Sequence, residues 1–162
     1  MKKSLTLTRG FTLIELLIVI AIITILSGII ITSLTGSKAK SRDAARVSDL
    51  AQIQLAIEQY FDRCQKYPAG LDVNADYSCR DFNSNVIKLG AYISKLPTDP
   101  STGATYGYAT NSNATDYVLY TTLETSSAAL QDSMTTSSKP AWASAVQCND
   151  VSHALVYCVG SK

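Results

Sequence analysis

Residues 10–31 read GFTLIELLIVIAIITILSGIII and contain one charged side chain, that of Glu15. The apolar run from Phe11 to Ile31 has roughly 21 residues, which as a helix would cover about 30 Å and match the hydrocarbon thickness of a bilayer. A carboxylate near the centre of such a span costs about 2.5–3.5 kcal/mol, so it is by default a functional group that needs a partner. The run therefore predicts a transmembrane helix in which Glu15 requires a cation.

The cation has to come from outside the run. The nearest basic residues lie upstream, where the positive-inside tendency places them on the cytoplasmic side: Lys2, Lys3 and Arg9. A cut between Gly10 and Phe11 would create a new α-amino group one helical turn before Glu15. The same amino group on a neighbouring copy could then pair with the Glu15 carboxylate.

The segment RGFTLIELL, residues 9–17, resembles the processing and methylation site of type IV prepilins and type II secretion pseudopilins. The resemblance implies that a prepilin peptidase cuts after Gly10 and that Phe11 is N-methylated. It also implies that Glu15 neutralises the Phe11 amine of an adjacent subunit in a helical filament. The alternative is a plain signal anchor. A removable secretory signal fits less well, because the apolar run is longer than a usual h-region and no Ala-x-Ala site follows it.

The chain divides into a leader, residues 1–10, a hydrophobic transmembrane and assembly helix, residues 11–36, and a globular head, residues 37–162. Glycine and β-branched residues are poor helix formers, so the zone from Gly28 to Gly36 is predicted to be a weak part of the helix. In pilins the corresponding zone can lose helicity on assembly. The resemblance extends that expectation here, although this chain has no proline at that place.

The first part of the head, residues 37–62, predicts an amphipathic helix because its apolar residues recur at three- and four-residue steps. These residues are Val47, Leu50, Ile53, Ile57, Tyr60 and Phe61. The opposite face carries Arg42, Asp43 and Arg46, and we expect most of it to face solvent. Pro68 and Gly70 stop the helix and open a connecting loop that we assign to residues 63–96.

The sheet and C-terminal region, residues 97–162, begins with two stretches that alternate aromatic or apolar with polar residues. Thr105–Thr110 and Tyr117–Leu123 are predicted strands, joined by a polar loop, and they should cover the apolar stripe of the helix. Thr121–Lys139 is rich in Ser and Thr and predicts a surface excursion. A final small strand region follows it.

A second resemblance covers the approach to this sheet. Leu96-Pro97-Thr98-Asp99-Pro100, followed by tyrosines and by Asp116-Tyr117-Val118-Leu119-Tyr120, resembles a motif shared by the major type II pseudopilin and many compact type IV pilins. The fold class is therefore expected to be α+β and type IV pilin-like. A long N-terminal helix, transmembrane in its first half, would pack on a small antiparallel sheet with a disulfide-closed C-terminal loop.

Four cysteines lie beyond the apolar run, in a region that we expect to be translocated, and they predict two disulfides. Three pairings are possible and the sequence does not decide among them. We expect Cys64–Cys79 and Cys148–Cys158, each closing a loop of roughly 11 to 16 residues and stabilising the fold by about 2–3 kcal/mol. A zinc site is the alternative, but neither pair has C-x-x-C spacing. In pilins such a C-terminal loop lies on the filament exterior.

No grouping of residues predicts an enzyme. His153 is the only histidine, so a two-histidine metal site is excluded and a histidine base would stand alone. Neither a nucleophile elbow nor a phosphate-binding glycine loop is present. The formal net charge of +1 becomes −2 without Lys2, Lys3 and Arg9, which gives no support to a general nucleic-acid-binding face.

Calcium has to be weighed, because the resemblance includes a major pseudopilin that binds it in a loop after the sheet. Asp99, Asp116 and Asp132 are the candidate oxygen ligands. The dense Asp/Gly loop of such a site is missing, so we expect these residues to serve as turn and capping residues. No cofactor is expected.

The resemblance implies a structural subunit of a type IV pilus or a type II secretion pseudopilus. Its partners would be further copies of itself, the prepilin peptidase, the assembly platform with its ATPase, membrane lipid before assembly, and nucleic acid only as an uptake substrate. The chain would cross the cytoplasmic membrane once, with its N-terminus in the cytoplasm, and then join an extracellular filament.

The sequence leaves open whether such a filament serves adhesion, twitching motility, DNA uptake or secretion. The Ser/Thr-rich excursion and the terminal disulfide favour a surface pilin. A membrane-anchored extracytoplasmic binding module that does not polymerise is the alternative from another class.

Overall fold

The computed structural model describes residues 11–149 and 155–161, apart from the side chains of residues 29–35. Helix α1 spans Leu13–Cys64, and the strands are β1 Gly107–Thr110, β2 Tyr117–Thr122 and β3 Val156–Gly160. Three single turns of 3₁₀ helix lie at Leu89–Ala91, Ala128–Gln131 and Ala141–Ala143. Contacts divide the chain into two compact units, Met1–Lys38 and Ala39–Lys162. This combination of a long helix and a small sheet confirms the predicted α+β, pilin-like fold.

Helix α1 includes the zone from Gly28 to Gly36 that we expected to be weak. It ends at Cys64, where Gln65 takes a left-handed conformation with φ of 54° and donates its N–H to the Phe61 carbonyl at 2.7 Å. Such a left-handed residue commonly ends a helix. Pro68 then follows and cannot continue it.

The three strands form one antiparallel sheet in the order β1-β2-β3. Both predicted strands are confirmed, although β1 begins at Gly107 rather than at Thr105. The ring of Tyr120 lies directly over Gly107, where an added Cβ would come within 2.3 Å of it. Only glycine permits that close approach of ring and backbone.

One face of the sheet packs on the helix. Leu50, Ile53 and Ile57 are no more than 1% exposed and lie in one apolar cluster with Tyr117 and Leu119 of the central strand. The apolar stripe predicted from its three- and four-residue spacing is therefore confirmed as the helix side of the core.

The other face of the sheet is covered by the segment that follows β2. Val118 and Cys158 form a second buried cluster with Ala143 and Val146 of that segment. The prediction that Thr121–Lys139 forms a surface excursion is wrong in part. Leu130 is buried in the first cluster, and the Ser133 hydroxyl accepts a hydrogen bond from the Cys158 amide at 2.8 Å. A polar composition did not mean exposure here, because the serine satisfies backbone groups of the sheet.

The structure contains two disulfides, Cys64–Cys79 and Cys148–Cys158, the pairing that we expected among the three. The first ties the end of α1 to the connecting loop. The second joins β3 to the segment that covers the second face of the sheet, so the C-terminal region is closed covalently.

Two buried tyrosines of the first core differ in how their hydroxyl groups are satisfied. The Tyr117 hydroxyl donates to Glu58 Oε1 at 2.9 Å, whereas the Tyr60 hydroxyl has no partner among the described residues. Burial raises the pKa of Tyr60 to about 12. A buried hydroxyl without a partner lowers stability relative to the plain ring.

Tyr60→Phe is therefore expected to leave the free energy of unfolding unchanged or to raise it. Tyr117→Phe should lower it by about 1.5–3 kcal/mol, because a hydrogen bond to a carboxylate is lost. Urea unfolding of the full chain in detergent, followed by tyrosine fluorescence and circular dichroism, measures both variants. A larger loss in Tyr60→Phe than in Tyr117→Phe would contradict the assignment.

Candidate functional site

The start of helix α1 is closed by a reciprocal pair of side chains. Glu15 Oε2 accepts hydrogen bonds from the Thr12 amide at 2.9 Å and from the Thr12 hydroxyl at 2.7 Å. The Glu15 amide in turn donates to Thr12 Oγ1 at 3.3 Å. With Thr12 at the N-cap and Glu15 three residues on, this is the capping-box arrangement. The carboxylate on which the sequence argument rests is thus held at the first turn of the helix.

The helix that follows is covered with exposed apolar side chains. Every residue from Phe11 to Gly28 is exposed, and Phe11 itself is 84% accessible. Glu15 is the only charged residue in that range. Its Oε1 atom makes no hydrogen bond with the described residues, so one carboxylate oxygen stays open to a further donor.

Two parts of the sequence prediction are limited by what the structure describes. Gly10, the residue before the predicted cleavage point, lies outside the described residues. Among the residues whose side chains are described, no helical stretch has the length and hydrophobicity that a membrane crossing requires.

A second charged site lies in the head and centres on Arg46. This Arg46 cluster consists of Arg42, Asp43, Arg46, Asp99 and Glu124. The Arg46 guanidinium donates to Asp99 at 2.5 Å, to Asp43 at 2.7 Å and to Glu124 at 2.8 Å. Its side chain is only 3% exposed. Glu124 also pairs with the more exposed Arg42. One buried cation thus joins three carboxylates from three separate parts of the chain.

Asp43 ties the helix to the segment after β2 through the backbone. Its carboxylate accepts hydrogen bonds from the amides of Glu124 and Thr125, each at 2.8 Å, and from the Thr125 hydroxyl at 2.7 Å. Burial by itself would raise the pKa of Asp43, but these hydrogen bonds and the one from Arg46 outweigh it and lower the pKa. Asp43 is therefore a buried carboxylate that stays charged.

The pKa values of the other two carboxylates of the Arg46 cluster are lowered as well. The hydrogen bond from Arg46 lowers the pKa of Asp99 far below its usual range. Hydrogen bonds from Arg42 and then Arg46 lower the pKa of Glu124 to about 2. The hydrogen bond to Asp99 is also the main reason that the pKa of Arg46 is raised. All members of the cluster are charged at neutral pH.

We expected most of this polar helix face to be exposed to solvent, and for Asp43 and Arg46 that is wrong, since each is 2% exposed. Both lie on the part of α1 that faces the loops at Asp99 and Glu124. Spacing shows that Asp43 and Arg46 share a helix face, but it does not show which distant loop covers that face. One feature of the sequence could have indicated a partner for this face. Asp99 lies between Pro97 and Pro100, which restrict the backbone and so hold its carboxylate in a fixed turn.

The three candidate calcium ligands are used in three different ways. Asp99 binds Arg46 and accepts the amides of Ser101 and Thr102, each at 2.9 Å. Asp116 accepts the Trp142 indole N–H at 2.8 Å and a hydrogen bond from Ser161. Asp132 is the C-cap residue of a 3₁₀ turn, where its backbone N–H donates to the carbonyls of Ala129 and Leu130. Within residues 11–149 and 155–161, no three His, Cys, Asp or Glu side chains are placed so that they could hold a metal ion together. His153 lies outside the described residues.

The chain is similar in sequence to known proteins. A family profile described as the prokaryotic N-terminal methylation motif matches residues 6–31. Type II secretion system core protein G of Klebsiella pneumoniae is 33% identical over 95 residues, which cover 57% of this chain and 68% of that protein. The same protein of Aeromonas hydrophila is 33% identical over 94 residues, covering 56% and 66%. That of Vibrio cholerae is 32% identical over 101 residues, covering 60% and 68%.

The long helix, the small antiparallel sheet and the methylation motif define a pilin-like protein. The chain belongs to the family of type IV prepilins and type II secretion pseudopilins that includes core protein G. The matched part spans about two thirds of the length of these relatives. These relatives are named as core proteins of type II secretion systems.

Proposed function

We propose that the protein is a structural subunit of a pseudopilus or pilus, assembled through its N-terminal helix. In this proposal a prepilin peptidase cuts after Gly10, Phe11 becomes the N-methylated first residue, and Glu15 pairs with the Phe11 amine of a neighbouring subunit. The subunit waits in the cytoplasmic membrane with its N-terminus in the cytoplasm. A platform and an ATPase then move it into the filament.

The observation that carries the proposal is the exposed apolar surface of residues 11–28 together with Glu15, the single acid in that range. Side chains such as Leu13, Ile14 and Ile25 are 82%, 66% and 67% exposed. A surface of this kind is unfavourable in water, so lipid or other copies of the helix must cover it. When copies replace lipid, a lone carboxylate is stable only if a cation from a neighbour meets it.

The geometry of the capping box supports the pairing role of Glu15. The Thr12 amide and hydroxyl hold Oε2 and fix the carboxylate at the end of the helix, while Oε1 stays open. A neighbour's amino group can approach Oε1 without breaking the cap. The cap therefore orients the carboxylate before the partner arrives, which reduces the ordering cost of assembly.

Similarity to core protein G of type II secretion systems favours the secretion pseudopilus over a surface pilus. Two features of the sequence favour a surface pilin, the Ser/Thr-rich excursion and the terminal disulfide. Part of the excursion is buried against the sheet, whereas the disulfide Cys148–Cys158 is present. The head then serves as the outer part of the filament.

Mass spectrometry of the mature N-terminus tests the proposal. In cells that contain an active prepilin peptidase, the first residue is expected to be N-methylated Phe11, and residues 1–10 are expected to be absent. Gly10→Val should keep the leader, because a side chain at this position blocks approach of the peptidase to the backbone. A wild-type chain that retains Met1 under these conditions would favour an anchored binding module.

A further inference from the structure

A cavity of about 610 Å³ lies between the last turn of α1 and the connecting loop. Sites for small molecules usually have volumes of about 300–1,000 Å³. We call this one the Arg63–Lys88 cavity, and the polar residues that line it are Arg63, Asn74, Asp81, Lys88 and Ser94. All of them belong to the part of the chain that the structure describes, so the cavity can be analysed wall by wall.

One wall is fixed covalently. The disulfide Cys64–Cys79 joins the last turn of α1, which carries Arg63, to a hairpin of residues 79–87, which carries Asp81. Within the hairpin the Ile87 amide donates to the Cys79 carbonyl at 2.9 Å. The two charged residues on this side of the cavity are therefore attached to the same covalent link.

The opposite wall depends on the close approach of two backbone segments. The Gly90 amide donates to the Val73 carbonyl at 2.9 Å, and both residues line the cavity. A Cβ atom on Gly90 would come within 2.7 Å of that carbonyl oxygen, so only glycine permits the contact. Leu89, next to it, is fully buried in the core. Since both walls are held in place without a ligand, little entropy is lost when one binds.

Two cations of the cavity have no partner in the described part of the head. Neither Arg63 nor Lys88 makes an ion pair or a side-chain hydrogen bond with the described residues. By contrast, Arg42, Arg46 and Arg80 each pair with a carboxylate. Two unpaired cations that line one cavity favour an anionic ligand there.

The acid in the cavity limits which anion fits. The Asp81 carboxylate accepts the amides of Asn83 and Asn85, each at 2.8 Å, and the Asn85 side chain at 3.0 Å. The hydrogen bond from the Asn85 side chain is the main reason that the pKa of Asp81 is lowered, so this carboxylate is charged at neutral pH. With Arg63 and Lys88 it leaves one positive charge in excess. A monoanion such as a carboxylate therefore matches the cavity better than a phosphate dianion does.

Two neutral polar side chains can bind hydroxyl groups. The Ser94 hydroxyl and the side-chain amide of Asn74 make no hydrogen bond with the described residues, and of Asn74 only the backbone amide is engaged, by Asp72 at 2.8 Å. A hydroxyl and a carboxamide each donate and accept hydrogen bonds. They suit a ligand that carries several hydroxyl groups.

The remaining lining is apolar and includes an aromatic ring. Tyr92 lies edge-to-face with Tyr60, with ring centroids 6.5 Å apart, and Val73, Val86 and Ile87 lie around the same cavity. A sugar ring presents a face of C–H groups that packs on aromatic and aliphatic side chains. Cations, hydroxyl-binding groups and an apolar wall thus occur together in one site.

We propose that the Arg63–Lys88 cavity binds a hexuronic acid, with the sugar carboxylate held by Arg63 and Lys88. The sugar hydroxyls would bind Asn74, Ser94 and Asp81. The two disulfides indicate that the head folds in an oxidising compartment outside the cytoplasm, where polysaccharides carry such acids. The inference goes beyond the filament proposal and does not depend on polymerisation, because the cavity lies within one subunit.

Saturation-transfer difference NMR of the full-length chain in detergent tests the site. The probes are glucuronate and galacturonate, each compared with its neutral counterpart, glucose or galactose. At least one of the two acids is expected to bind about tenfold more tightly than its neutral counterpart, because a hydrogen bond to a charged group is worth about 1.5–3 kcal/mol.

Charge-removing variants locate the binding. Arg63→Gln and Lys88→Gln are each expected to weaken binding of the acid about tenfold. Arg80→Gln and Lys66→Gln are the matched controls, because they remove the same charges from residues outside the cavity, and they should bind as the wild type does. Thermal unfolding of Arg63→Gln and Lys88→Gln should match the wild type, since neither cation has a partner among the described residues.

Several outcomes would overturn the proposal. It is wrong if neither acid binds more tightly than its neutral counterpart, or if Arg63→Gln and Lys88→Gln bind the acid like the controls. Inorganic phosphate or uridine monophosphate that binds more tightly than both acids would assign the cavity to a phosphate ligand instead. Lys88→Gln should polymerise like the wild type. Loss of sugar binding therefore leaves the filament proposal intact, and a wild-type chain that binds the acid without polymerising contradicts the filament alone.

Discussion

Subunits that carry Glu15→Gln are expected to enter the membrane normally and to form almost no filaments. Glutamine retains the capping interaction with Thr12 but removes the negative charge that would meet the Phe11 amine of a neighbour. Loss of one member of a desolvated charge pair leaves the other buried and unpaired, so assembly should fall by about a hundredfold or more. Electron microscopy of sheared filaments and immunoblotting of the membrane fraction measure the two effects separately.

Thr12→Ala is the matched control for this prediction. It removes both side-chain hydrogen bonds of the cap but leaves the Glu15 carboxylate in place, so filaments should still form. Glu15→Leu removes cap and charge together and should behave as Glu15→Gln does. Normal filaments from Glu15→Gln, or a loss of filaments confined to Thr12→Ala, would show that the carboxylate acts only as a helix cap.

Arg46→Met is expected to be the most damaging single change in the head. Methionine fills much of the same volume but leaves Asp43, Asp99 and Glu124 without their shared cation. Removal of one partner from a buried ion pair typically lowers stability by about 3–5 kcal/mol, because the remaining charge is uncompensated. Urea unfolding of the full chain in detergent, followed by circular dichroism, measures the loss.

Arg42→Met provides the comparison, because Arg42 also pairs with Glu124 but its own side chain is 36% exposed. An exposed pair contributes little, so this variant should unfold within error of the wild type. Equal losses in Arg42→Met and Arg46→Met would mean that burial of the guanidinium does not matter.

The pH dependence of the wild type follows from the lowered pKa values of the cluster. Asp99 and Glu124 have ordinary pKa values of 3.8 and 4.5, and both are lowered in the folded head. Below those ordinary values the unfolded chain binds more protons than the folded chain, so stability is lost as the pH falls from about 4.5 towards 2. Arg46→Met should show a much weaker dependence over this range.

The helix in the N-terminal part of the chain and its methylation motif could both be predicted from the sequence. The apolar run that follows Gly10 and contains Glu15 can be interpreted without knowledge of long-range contacts, because its helical conformation and its single charge depend on residues close together in the sequence. The helix stripe through Leu50, Ile53 and Ile57 was predictable for the same reason, because its spacing alone defines a face. Strands β1 and β2 could be predicted from the alternation of their side chains.

Long-range contacts explain what was missed. Arg46 looks like any charged residue on a helix, and its burial depends on two loops that lie 53 and 78 residues further along the chain. Ser133 likewise belongs to a polar stretch, and it is buried only because the Cys158 amide lies opposite it. The full exposure of the Phe82 ring could not be predicted from its residue type, because phenylalanine is more often buried. The ring lies on a turn that is fixed by hydrogen bonds among Asp81, Asn83 and Asn85.

The position of β2 limits how much the amino-acid sequence of the head can vary among homologues. This strand has a neighbour on each edge and a layer on each face, and Tyr117, Val118 and Leu119 are all completely inaccessible. Homologues should therefore vary least along these three residues and most in the turns on the outside. The exterior of the head can therefore change in evolution without altering the strand on which the rest of the head is built.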